Sequence, residues 1–113
     1  MKHPLSRQAF LDLAAQSDVV IENFKTGGLD KLGCGYSIIS ELNSKIILCS
    51  VSAYGPKGPY KGVGGYDTTL QAFSGIISTT GFPDQPVKLG IPLLDILTGY
   101  IAFGCIGNAL YAR

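Results

Sequence analysis

The sequence predicts an α/β fold built on a parallel sheet, and three observations carry that prediction. Helix-type and strand-type segments alternate over the first half of the chain. The best strand, KIILCSVS (45–52), is almost continuously apolar, as strands covered on both faces of a parallel sheet are. A second strand-type run, Val19-Val20-Ile21, precedes it, with helix-type segments between the two.

Taken in order, Leu5–Gln16 places Ala9, Phe10, Leu13 and Ala14 at helical spacing, with Pro4 suited to a first turn. Ser17-Asp18 breaks the pattern, and Val19-Val20-Ile21 is a short strand-type run. Thr26-Gly27-Gly28 opens a brief helix that Gly33 ends. Ser37–Leu42 predicts another helix, with Ile38, Ile39 and Leu42 on one face and Asn43 as its stop. After the strand at 45–52, Tyr54–Gly65 holds five glycines and two prolines in twelve residues. A loop of that length in a compact domain is more often functional than idle. Asp67 is the expected N-cap of a helix over Thr68–Ile77, with Leu70, Phe73, Ile76 and Ile77 inward. Thr79–Gly90 is turn-rich, and a last apolar helix is expected from near Asp95 to about Ala112.

Composition removes several function classes. The chain has 113 residues, enough for one small domain, and a formal net charge of +1. No basic stripe supports nucleic-acid binding. Cys34, Cys49 and Cys105 lack CxxC spacing and no secretory signal pattern opens the sequence, so free thiols in a reducing cytoplasm are expected, with Cys49 and Cys105 as core residues. His3 is the only histidine, which argues against serine–histidine or cysteine–histidine catalysis and against a zinc site. The last helix offers only 17 uncharged residues between Asp95 and Arg113. A membrane span takes about 20 apolar residues, so a helix buried inside protein is expected instead.

Chemistry therefore falls to carboxylates, a tyrosine, lysines and backbone amides. Asp95 is the only charge between Lys88 and Arg113, set in GIPLLDILTG at the mouth of an apolar helix. A carboxylate among Leu93, Leu94, Ile96 and Leu97 needs compensation, which helix N-terminal amides can supply; a plain helix N-cap is the structural alternative. Gly64-Gly65-Tyr66-Asp67 lets backbone approach a ligand and brings a hydroxyl and a flat ring to a helix mouth. Asn23-Phe24-Lys25 follows the first strand, at the carboxyl edge where α/β proteins bind ligands.

These pieces, in this order and spacing, resemble family III CoA-transferases of the CaiB/BaiF type. The matching stretches are DVVIENFKTGGLDKLGCGY (18–36), LNSKIILCSVSAYGPKGPY (42–60), GGYDTTLQAFSGIISTTGFPDQPVK (64–88) and LGIPLLDILTGYIAFGCIGNALYAR (89–113). The resemblance implies a partial Rossmann-like parallel sheet with flanking helices, part of that family's large domain. It implies that Asp95 is the nucleophile that carries the acyl group and then CoA in a transfer between carboxylic acids. Asn23, Phe24, Lys25, Lys31, Gly64, Gly65 and Tyr66 match CoA-contacting positions, and Tyr66 and Asp67 match positions beside the reacting groups. Acyl-CoA and a carboxylic acid are then substrates, with no permanently bound cofactor and no metal. The expected setting is a cytoplasmic homodimer without nucleic-acid or membrane partners. Related α-methylacyl-CoA racemases carry histidine where this chain has Tyr66, so the departure points to transfer rather than racemisation. The same resemblance implies that residues 1–113 are a partial domain truncated at both ends, with an inactive remnant as the alternative to a working enzyme.

Overall fold

The computed structural model describes residues 3–113. Helix α1 (Pro4–Ala15) starts on proline, and His3 Nδ1 accepts the Leu5 amide at 3.3 Å as its cap. The lone histidine is thus a helix cap. Strand β1 (Val19–Glu22) follows, then α2 (Gly28–Lys31), α3 (Tyr36–Leu42) and strand β2 (Ile47–Ser50). The two strands pair in parallel, Val19 opposite Ile47 and Glu22 opposite Ser50. This is a βαβ unit, and it confirms the α/β reading.

The strand expected at 45–52 is shorter than its apolar run, and its residues Ile47, Leu48 and Cys49 are only partly buried. One face of the sheet meets the core of Leu11, Ala14, Leu29, Cys34, Ile39 and Ile46, with Phe10, Val20, Leu32, Ile38 and Leu48 around it. The other face carries a looser layer. Cys34 is the fully buried cysteine, while Cys49 is half-buried and Cys105 exposed, correcting the assignment of the last two to the core.

Helix α4 spans Asp67–Phe73, shorter than the expected 68–77. Gly75 takes φ +83°, a left-handed conformation that ends the helix and leads into a 3₁₀ turn, Ile76–Thr79. Its inward residues are Asp67 and Gln71 rather than Leu70, Phe73, Ile76 and Ile77. The inward face is polar because Gln71 bonds to the segment leading into the last helix and Asp67 to the first turn of that helix. The turn-rich region holds a two-residue hairpin, β3 (Gly81–Phe82) with β4 (Gln85–Pro86).

Helix α5 spans Leu93–Ala112, beginning two residues before Asp95. It lies over β2, where Thr98, Ile101, Ala102, Cys105, Ile106 and Ala109 face the strand across a cavity of about 520 Å³. At its far end Arg113 pairs with Asp18 at 2.6 Å and donates to the Lys45 carbonyl. No residue of α5 is buried, which corrects the expectation of a buried helix. At 20 residues and mean hydropathy 1.5 it is long and apolar enough to cross a membrane by length and composition alone. The radius of gyration is 17.2 Å, against about 13 Å for a compact domain of this length.

Candidate active site

The site begins at the carboxyl ends of the two parallel strands. Glu22, the last residue of β1, accepts the Phe24 amide at 2.6 Å and the Ser50 hydroxyl across the sheet. That side chain turns the chain sharply after β1 and sets Asn23-Phe24-Lys25 along the sheet edge. From the neighbouring strand, Ser52 and Ala53 continue to the same edge.

The glycine-rich loop closes the opposite wall. Tyr54 and Tyr60 stack on each other and both meet Phe73 of α4 edge-on, with ring centroids 5.0–5.3 Å apart. The Thr26 hydroxyl donates to the Gly55 carbonyl at 3.1 Å. The start and the middle of the loop are therefore anchored. Close approach demands glycine at Gly65, where a Cβ would sit 2.9 Å from Ala53 Cβ; one on Gly64 would sit 2.8 Å from Cε of the flexible Lys25 side chain.

These walls enclose a cavity of about 680 Å³ lined by Asn23, Phe24, Lys25, Ser52, Ala53, Val63, Gly64, Gly65, Tyr66 and Asp95. Seven of the sequence-derived site residues thus share one space although they come from three separate stretches of chain. Lys31 lies outside it, exposed on α2. Ser52, Ala53 and Val63 line it without having been singled out. For Ser52 and Ala53 the available signal was the strand-end rule, since residues just past a parallel strand face the ligand crevice; Val63 belongs to the glycine-rich loop.

Asp95 is exposed to the cavity, so the expected burial among leucines does not occur. It is the third residue of α5, neither buried nor the cap. The cap is supplied from elsewhere. Asp67, expected to cap its own helix, instead accepts the Leu94 amide at 2.7 Å and the Asp95 amide at 3.1 Å through Oδ2. Its own helix α4 starts from Tyr66 without a side-chain cap. Desolvation works to raise the Asp67 pKa. Hydrogen bonds from the Asp95 amide, Gln71 and the Leu94 amide, with attraction from Lys88, outweigh it and hold the group below the ordinary carboxylate value. Asp67 does not line the cavity; its contact with Asp95 is through that residue's backbone amide.

Fold and site together define an α/β protein with a cavity at the carboxyl edge of a parallel sheet and a carboxylate at the mouth of a helix. The chain belongs to CoA-transferase family III, whose model matches residues 1–113. It is 46% identical over 108 residues to an acyl-CoA transferase of Fusarium pseudograminearum, covering 95% of this chain and 24% of that protein. It is 46% identical over 99 residues to a succinate–glutarate CoA-transferase of Agrobacterium fabrum, covering 87% and 25%. A solved structure of a CaiB/BaiF family protein from Brucella suis superposes with a TM-score of 0.94 at 42% identity, covering 98% of this chain and 30% of that one. The chain spans about a quarter of the length of the curated relatives it matches.

Proposed function

We propose that this chain carries the nucleophile and part of the CoA site of an enzyme that moves coenzyme A between carboxylic acids. The observation that supports this most is the shared cavity, in which Asp95 faces Asn23-Phe24-Lys25 and Gly64-Gly65-Tyr66. In the first step the Asp95 carboxylate attacks the thioester carbonyl of an acyl-CoA, the C–S bond breaks, and CoA leaves as thiolate. The product on the protein is a mixed anhydride. The thiolate then attacks the aspartyl carbonyl, releasing the first acid and leaving CoA on Asp95 as a thioester. An acceptor carboxylate attacks that thioester, and the thiolate expelled takes the new acyl group, restoring Asp95. An aspartate suits the role because it is ionised at neutral pH without a base, its reference pKa being about 3.9.

In this reading the cationic Lys25, with Lys31 further out, meets phosphate oxygens of CoA. Gly64 and Gly65 allow the pantetheine arm to run against backbone, and Tyr66 offers its hydroxyl beside the thioester. Asp67 orders the start of α5 and through it Asp95. Tyr66 standing where related racemases use histidine favours transfer over proton abstraction. Free Cys34, Cys49 and Cys105 suit a reducing cytoplasm. The bare apolar length of α5 suits burial against further polypeptide, as in a homodimer.

That same exposure favours one second reading, a remnant that binds CoA weakly and does no chemistry. Trapping at Asp95 separates the two. The chain is incubated with succinyl-CoA, quenched with hydroxylamine and analysed by peptide mass spectrometry, with Asp95→Asn and a full-length relative in parallel. A hydroxamate at Asp95, absent from the variant, is expected. Labelling of the relative alone sinks the catalytic reading for this chain.

A further inference from the structure

We propose that Gln71 is a positioning residue for Asp95, acting through Asp67 and through the backbone that leads into α5. The inference rests on the reading of Asp95 as the nucleophile. Gln71 is 1% exposed, one of the most completely buried side chains in the chain, and it is polar. A buried amide is costly unless its donors and acceptor are used, and this one uses them on both sides of a single junction. Nε2 donates to Asp67 Oδ1 and to the Ile91 carbonyl at 3.2 Å, while Oε1 accepts the Leu89 amide at 2.9 Å.

One side chain therefore holds both the carboxylate that caps α5 and the backbone just before that helix begins. With Asp67 Oδ1 engaged by Gln71, Oδ2 is left to the Leu94 and Asp95 amides. The reach of Asp95 into the cavity is fixed by this chain of contacts, although Gln71 itself does not line the cavity. A side chain that only filled space could be replaced by leucine. One that orients could not, since leucine leaves the Leu89 amide and the Ile91 carbonyl unpaired and releases Asp67.

The test uses the full chain as wild type, Gln71→Leu and Gln71→Glu; glutamate keeps the size and the acceptor but sets a second carboxylate against Asp67. Amide hydrogen exchange is followed by NMR at Leu94 and Asp95, with Ile47 and Val51, which bond across the sheet to Asp18 and Glu22, as remote references. Exchange at Leu94 and Asp95 is expected to accelerate roughly tenfold or more in both variants, with the references unchanged. The rate of Asp95 labelling by succinyl-CoA is expected to fall on the order of 100-fold, as misplaced reacting groups do. The concentration giving half-maximal labelling should move less than about twofold. Unchanged exchange at Leu94 and Asp95 in Gln71→Leu overturns the proposal, and so does equal acceleration at Ile47 and Val51, which marks a general loss of stability. A wild-type chain that is never labelled sinks the nucleophile reading instead, and the exchange data alone then decide whether Gln71 holds Asp95.

Discussion

Asp67 caps the helix that bears Asp95: its Oδ2 lies 3.1 Å from the Asp95 amide, 28 residues further along the chain. A carboxylate on one short helix thus serves the open amides of another. Asp67→Ala should leave the Leu94 and Asp95 amides without their acceptor. A thermal midpoint a few degrees below wild type is expected by circular dichroism, while Asp67→Asn, which retains an acceptor oxygen, should lose less. Equal midpoints for wild type and Asp67→Ala remove the cap from any structural role.

The pH dependence follows from the lowered Asp67 pKa. A carboxyl more acidic folded than unfolded stabilises the fold fully above its unfolded value of about 3.9, and that contribution is lost as pH falls through the folded value. The stability difference between wild type and Asp67→Asn should be constant above about pH 5 and shrink below about pH 4. Urea midpoints measured from pH 7 to pH 2.5 check the sign. A difference that grows on acidification contradicts it.

Gly65→Ala should damage the cavity where Gly64→Ala is tolerated. The new Cβ at Gly65 meets Ala53 Cβ at 2.9 Å, with Tyr54 and Leu70 close behind. The one at Gly64 meets the flexible end of Lys25, which can swing aside. Overpacking at Gly65 should cost about 1–3 kcal/mol in urea denaturation. At Gly64 stability should hold while affinity for CoA, read by calorimetry, drops because Lys25 has moved.

The aromatic trio tests the loop. Phe73→Ala removes both edge-on contacts to Tyr54 and Tyr60, each pair being worth about 0.5–1.5 kcal/mol. Trypsin should then cut after Lys57 and Lys61 faster than in wild type while fragments from α1 and α3 appear no sooner. Unchanged cleavage places the loop's order elsewhere.

Ile39 is fully buried at the centre of the small core between α1, α2, α3 and the sheet. Ile39→Ala should cost about 2–5 kcal/mol, a large share of the stability of so small a domain. Urea denaturation followed by circular dichroism gives the value, and a loss under about 1 kcal/mol places the stability-bearing core elsewhere.

The sequence by itself determined the order of elements, the parallel sheet, the glycine-rich loop and the prominence of Asp95. Each of these is written in local signals: 3.6-residue periodicity in 5–16 and 37–42, an almost continuous apolar run at 45–52, and a single charge in an apolar stretch. The tertiary structure decided what no local window contains. Asp67 looked like the cap of its own helix, because a short acidic residue before a helical run usually is one, yet it bonds 27 and 28 residues away. Gln71 carried no signal, since its partners Leu89 and Ile91 lie 18 and 20 residues off. Asp95 proved exposed and α5 unburied, because burial depends on which surfaces meet and not on how apolar a segment is. Periodicity reports a residue's neighbours one helical turn or one strand step away. The distances that make a site are set by packing between elements far apart in the chain.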